Sequence, residues 1–533
     1  MERDGVHIAW ERYGDGEPTI LLLPTWSIVH SRLWKMQIPY LARHYRVVTF
    51  DGRGNGRSDR PEDVAAYADT EFVADALAVL DATATARAIV VGVSMGGGYA
   101  LRLAAEHPDR VEAAVFEGPY VPLADPDPER QTETVPFDEP LERYEGWAKY
   151  NLHYWRQDYR DFLEFFFGQV YSEPHSTKPI EDCVGWGLET DAETLIRIER
   201  APYVDRAAAR DFAARVTCPC LVIHGGDDGI IPARLGRALA EALGAEFLEL
   251  AGSGHNPNAR DPVRFDLALR DFIDRVHPPA LATSTEAPTP AGDATVGRPA
   301  AGVAGTVRSR SWTRACGRRR RALYISSPIG LGHAQRDLAI ARELRRIHPD
   351  LEIDWLAQHP VTQFLEASGE RIHPASTALA SESGHIESES GEHDLHCFGA
   401  WRRMDEILLA NFMVFHDLVR DDPYDLWIGD EAWELDYYLH ENPELKTAAY
   451  VWLTDFVGWL PMPDGGEREA YLTADYNAEM IEHIARFPRI RDRAIFVGNP
   501  DDIVPDSFGP GLPKIRGWTE AHYDFAGYVT GFD

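Results

Sequence analysis

The sequence predicts an α/β protein made of two sheets of largely parallel strands. Three observations carry that expectation. Short, wholly apolar runs such as Ala88-Ile89-Val90-Val91 alternate with stretches whose apolar residues recur near every 3.6 positions, as strands covered on both faces by helices do. The alternation occurs in both halves of the chain, which are separated from Pro278 to about Val307 by Ala, Pro, Thr and Gly with no apolar period. A chain of 533 residues also exceeds one ordinary core, so two or three domains are expected.

Composition narrows the partners. The chain is 44% hydrophobic, with 22 Phe, 21 Tyr and 14 Trp, enough for globular packing. A formal charge of −33 opposes binding to nucleic acid or to an anionic membrane over most of the surface. No run approaches the ~20 apolar residues of a membrane span. The start, Met1-Glu2-Arg3-Asp4-Gly5, lacks an apolar signal core, so a cytoplasmic protein is expected. Five irregularly spaced cysteines argue against a disulfide framework, and Cys218-Pro219-Cys220 reads as the entry to a buried strand.

In chain order, Val6 to Tyr13 alternates like a half-exposed strand, ahead of Gly14-Asp15-Gly16. Buried strands are expected at Thr19 to Leu23, Arg46 to Phe50, Ala88 to Val93 and Val111 to Phe116, with a helix over Glu71 to Leu80. Two further strands, Cys220 to His224 and Glu246 to Leu250, follow an interruption from about Val121 to Phe212. That interruption is helical in pattern and dense in aromatics, among them Trp147, Tyr150, Trp155, Phe162, Phe166 and Trp186, as expected of a helical cap over an apolar pocket or of a cap's own packing.

The chemistry gathers around Gly92-Val93-Ser94-Met95-Gly96. A strand turning sharply into a helix needs small residues on both sides of the turn and pushes its apex residue, here Ser94, toward solvent. Two later strands run into loops holding Gly225-Gly226-Asp227-Asp228 and Gly252-Ser253-Gly254-His255. Loops at the carboxyl ends of strands in an open α/β sheet share one edge, so serine, acid and histidine are expected there in the order Ser, Asp, His. A serine hydroxyl is a weak nucleophile at neutral pH. His255 would take its proton, and Asp228, in preference to Asp227, would orient the imidazole and stabilise its charged form.

On these residues, 1 to about 277 resembles the α/β-hydrolase family. Asp51-Gly52-Arg53-Gly54-Asn55-Gly56-Arg57-Ser58 is similar to the family's Asp-x-Arg-Gly-x-Gly-x-Ser loop, and His224-Gly225-x-x-Asp228 and Gly254-His255 match its acid and histidine segments. The resemblance implies catalytic Ser94, Asp228 and His255, with the backbone N–H groups of Trp26 and Met95 as the oxyanion hole. Pro24-Thr25 stands where the family usually has His-Gly.

After a disordered linker over 278–320, whose basic end Arg318-Arg319-Arg320 runs on into Arg321, order resumes in a second Rossmann-like α/β domain over 321–533. Strands are expected at Ala322 to Ser326, Leu351 to Leu356, Leu426 to Asp430, Ala448 to Leu453 and Arg493 to Val497. The first strand runs into a turn, Pro328-Ile329-Gly330-Leu331-Gly332-His333, and then a helix over Asp337 to Leu344. This half resembles the N-terminal, acceptor-side domain of GT-B type glycosyltransferases, which makes His333 a candidate site residue and a sugar or glycoside a candidate acceptor. His385, Glu387, Glu389, His393, Asp394 and His396 read as a solvated acidic loop without metal-ligand spacing, so no metal is expected.

The expected activity is hydrolysis of an ester, lactone or thioester with an apolar portion through an acyl-enzyme on Ser94, without a cofactor. The alternatives are the acceptor side of a glycosyltransferase and a non-catalytic ligand-binding relative of the hydrolases.

Overall fold

The computed structural model describes residues 1–124, 136–278, 319–390 and 395–530. The expected linker lies almost wholly outside the described residues, as do His393 and Asp394. The chain divides into two compact units. One holds Met1–His277 together with Glu389–Met413 and Trp459–Ile481, and the other holds Pro278–Ser388, Val414–Gly458 and Glu482–Asp533.

The first unit begins with a hairpin, β1 (Glu2–Arg3) and β2 (Val6–His7), whose turn at Asp4-Gly5 has φ of 51° and 77°. Its main sheet comprises β3 (Trp10–Tyr13), β4 (Thr19–Leu22), β5 (Arg46–Phe50), β6 (Ala88–Val93), β7 (Val111–Glu117), β8 (Cys220–Gly225) and β9 (Glu246–Leu250). The spatial order is β3-β5-β4-β6-β7-β8-β9, with β3 antiparallel and the rest parallel. The strands β4, β6 and β8 are buried along their whole length because helices cover both faces, which is why β6 reads as an unbroken apolar run and β4 and β8 as runs broken only by Thr19 and His224. The Val6 to Tyr13 segment is two strands rather than one, since the chain changes partner at Ile8-Ala9. β2 pairs with β1 and β3 with β5.

Between β7 and β8 the described chain forms the helices Leu152–Gln157, Tyr159–Val170, Thr177–Gly187, Ala192–Glu199 and Arg206–Arg215. Four of these starts are capped by side chains that accept an orphan backbone N–H: Asn151, Asp158, Asp191 and Asp205. Aromatic rings interlock the segment, with Trp155 and Phe162 at 4.6 Å between centroids and Phe166 edge-on to Trp26 at 5.2 Å.

The second unit is a six-stranded, wholly parallel sheet of β10 (Arg321–Ser326), β11 (Glu352–Ala357), β12 (Leu426–Asp430), β13 (Ala449–Thr454), β14 (Arg493–Phe496) and β15 (Asp524–Phe525), in the order β11-β10-β12-β13-β14-β15. Two expectations need correcting. Gly330 is the extended N-cap of the helix Leu331–Ile347, so His333 lies in the first helical turn and not in the preceding loop. His385, Glu387 and Glu389 sit on the helix Glu382–Glu389, whose start is tied down by Ser381 Oγ, an acceptor for Gly384 N–H, and by Glu382 bonded to Gln358. Among the described residues no helix is long and apolar enough to cross a membrane.

Candidate active site

Ser94 is the turn between β6 and the helix Met95–Glu106, with φ 53° and ψ −117°, a backbone conformation uncommon for a residue with a side chain. Its N–H donates to Glu117 O at 2.9 Å and its carbonyl accepts from Tyr120 N–H at 2.9 Å, so the end of β7 holds the apex from one side. The flanking glycines are required by close approach. A Cβ at Gly92 would lie 2.2 Å from Gly96 O, and one at Gly96 would lie 2.6 Å from Pro24 O.

That second contact places the Pro24-Thr25-Trp26 loop against the first turn of the helix after Ser94. Among the described residues neither Trp26 nor Met95 gives its backbone N–H to a protein acceptor. The Trp26 ring is buried against Tyr150, Trp155 and Phe166.

The acid and the histidine meet. Asp228 Oδ2 accepts from His255 Nδ1 at 2.7 Å, and the Asp228 side chain is fully buried whereas Asp227 is exposed. Asp228 Oδ1 takes two further bonds, from Ile230 N–H at 2.8 Å and Ile231 N–H at 2.7 Å. Burial pushes the Asp228 carboxyl up, but the charge of His255 and hydrogen bonds from His224 and His255 outweigh it and hold the carboxyl well below the usual carboxylate range. Gly118 lies beside the histidine. A Cβ there would lie 3.2 Å from His255 Nδ1 and 3.3 Å from its Cε1, so the backbone next to Glu117, which binds Ser94, also touches the imidazole.

Residues to which local pattern gave no role hold these groups in place. His224 is fully buried, with Nε2 3.1 Å from Asp228 Oδ2 and 2.7 Å from Ile231 O. Its position four residues before Asp228 was visible, but nothing local marks it as a support for the acid. The loop bearing His255 is held from the interrupting segment, where Val170 O accepts from His255 N–H at 3.0 Å and Glu173 Oε1 from Gly254 N–H at 2.6 Å. Tyr203 Oη lies 2.9 Å from both Met95 O and Tyr120 O, bracing the elbow.

In the second unit, His333 sits at the carboxyl edge of its sheet with Nδ1 3.3 Å from Asp430 Oδ2 and 2.9 Å from Arg336 Nη2. Arg336 forms a two-pronged pair with Asp430 and also binds Asp455. Donor atoms of His333, Glu431 and Asp455 lie within 4.8 Å of one another, but the Arg336 guanidinium already supplies the positive charge that Asp455 faces. Glu431 has φ 49° and lines a pocket with Ser326, Ser327, Gln358, Glu382 and Glu434. Burial pushes Glu431 up to about 7 despite the neighbouring His333.

A mostly parallel seven-stranded sheet, with a serine at the elbow after one strand and an Asp–His pair on the loops after two others, defines an α/β hydrolase. Residues 18–262 match the alpha/beta hydrolase fold family. The chain is 30% identical over 244 residues to the 2-hydroxymuconate semialdehyde hydrolase of Pseudomonas sp. (strain CF600), covering 45% of this chain and 80% of that protein. It is 31% identical over 237 residues to a non-heme haloperoxidase of Rhodococcus erythropolis, covering 43% and 81%. A solved structure titled Est816 as an N-acyl homoserine lactone degrading enzyme aligns over 51% of this chain and 98% of its own, at 26% identity and TM-score 0.43. The chain belongs to the alpha/beta hydrolase fold family of enzymes.

Proposed function

We propose that the first unit is a serine hydrolase acting on a carboxylic ester, lactone or thioester with an apolar portion. The observation that carries the reading is the buried Asp228–His255 bond of 2.7 Å beside an elbow that presents Ser94 at φ 53°. Ser94 Oγ attacks the carbonyl carbon while His255 Nε2 takes its proton, and Asp228 holds Nδ1–H and stabilises the imidazolium. The oxyanion is received by the N–H groups of Trp26 and Met95, which have no competing acceptor among the described residues. His255 returns the proton to the leaving alcohol or thiol, then activates the water that hydrolyses the acyl-enzyme. The helices between β7 and β8 act as the cap, and their aromatic rings, packed on Trp26, form the wall for the apolar part of the substrate.

The test is steady-state turnover of 4-nitrophenyl esters and aliphatic lactones. Wild type turns over at least one class, and Ser94→Ala loses about 10⁴-fold or more in kcat. Equal turnover by Ser94→Ala contradicts the reading. A folded wild type that binds such ligands without turnover points instead to the non-catalytic relative.

A second reading concerns residues 321–533 as the acceptor side of a glycosyltransferase. What supports it is the pairing of His333 with Asp430 at the carboxyl edge of a parallel sheet, beside a small pocket whose lining is half polar, from Ser326, Ser327, Gln358, Glu382, Glu431 and Glu434, and half apolar.

A further inference from the structure

Glu117 ends β7, is fully buried, and touches both halves of the proposed acyl-transfer machinery. Its backbone carbonyl accepts from Ser94 N–H at 2.9 Å. Its side-chain Oε1 accepts from Asn258 N–H at 2.8 Å, three residues beyond His255 and inside the short helix Pro257–Arg260. Asn258 is held again by Gln37 Nε2, which donates to Asn258 O at 2.7 Å, and by its own Nδ2, which donates to Leu33 O at 3.2 Å. The residue after Glu117, Gly118, has φ 44°, donates its N–H to Ile223 O at 3.0 Å, and lies against the His255 ring. One residue is therefore bonded to the nucleophile's backbone and to the segment that carries the base.

We propose that Glu117 is a positioning residue: a strut that sets the separation of Ser94 and His255 through its carbonyl on one side and its carboxyl acceptor on the other. The inference rests on the serine-hydrolase reading above. Burial, with the Asp266 and Asp228 carboxylates nearby, pushes the Glu117 carboxyl well above the usual range.

The strut has an isosteric control. Glutamine offers the same carbonyl acceptor at the same reach without a titratable proton, whereas leucine fills the volume and removes the acceptor, leaving the Asn258 N–H unpaired in a buried site. A displacement of the base by about 1 Å costs roughly a hundredfold in rate. The experiment measures kcat and KM of the full chain on 4-nitrophenyl butyrate, with the rate of Ser94 phosphonylation by a fluorophosphonate as a substrate-independent readout. Glu117→Leu is expected to lower kcat and the phosphonylation rate by about tenfold to a hundredfold while KM moves less than about threefold. Glu117→Gln is expected to restore most of both rates. If Glu117→Leu does not fold, Glu117→Asp, which withdraws the acceptor by one methylene, carries the same expectation. Loss of stability alone, with kcat per folded molecule at the wild-type value in Leu or Asp, overturns the strut, as does an equal loss in Gln and Leu. Ser94→Ala is measured alongside. Full turnover there overturns the strut together with the hydrolase reading, whereas a dead Ser94→Ala with wild-type Glu117 variants overturns the strut alone.

Discussion

The two units place similar groups at the carboxyl edges of their sheets and use them differently. After β6 stands Ser94 at φ 53°, and after β12 stands Glu431 at φ 49°. Each unit also pairs a histidine with a buried aspartate, His255 with Asp228 and His333 with Asp430. The difference lies in the aspartate's other partners. Asp228 is met by two backbone N–H groups and by His224, while Asp430 is met by the guanidinium of Arg336. A carboxylate with no cation beside it keeps its charge for the imidazolium that forms during proton transfer, whereas one neutralised by arginine has little left to offer. On the proposed reading, the Asp–His contact orients a base in the first unit, whereas in the second it is part of an ion cluster.

Removing the charge sharpens that contrast. Asp228→Asn is expected to lower kcat on an ester by about 10³- to 10⁴-fold, because the amide selects the wrong imidazole tautomer, and steady-state kinetics reads the loss directly. Asp430→Asn breaks a buried ion pair and is expected to cost about 3–5 kcal/mol in the unfolding of the second unit, measured in denaturant at neutral pH, with ester turnover by folded protein unchanged. The sign of its pH dependence follows from the lowered carboxyl. Burial pushes Asp430 up, but hydrogen bonds from His333 and Arg336 outweigh it and bring it below its ordinary value. The stabilisation is therefore present above about pH 4 and lost as the pH falls through the depressed folded value, so wild type and Asp430→Asn converge on acidification.

What was legible in the sequence was local. β5, β6, β9 and β12 occupy the residues whose unbroken apolar runs or turn-bounded patterns marked them, and Ser94 sits at the turn its glycines required. Two-residue strands such as Asp524–Phe525 carry no periodicity and were illegible, as was the change of partner that divides Val6 to Tyr13. The glycines before His333 marked a loop, but the extended Gly330 lets the helix begin two residues ahead of the histidine. Partners made by long-range contact, such as Glu117 with Asn258 or Glu173 with Gly254, depend on where loops from distant strands end and leave no trace in spacing. The same holds for the inclusion of Glu389–Met413 and Trp459–Ile481 in the first unit. There Asp475 bonds His175 at 2.8 Å, Glu479 pairs with Arg260 at 3.1 Å, and Lys35 bridges Asp182 and Asp405.

The central claim is that Ser94 is a nucleophile activated by His255, and intact mass after exposure to a fluorophosphonate tests it most directly. Attack by Ser94 Oγ on phosphorus expels fluoride and leaves one covalent adduct, so wild type is expected to gain a single phosphonyl mass, Ser94→Ala none, and His255→Ala the same mass far more slowly. No adduct on well-folded wild type, or the same adduct on Ser94→Ala, would contradict the account.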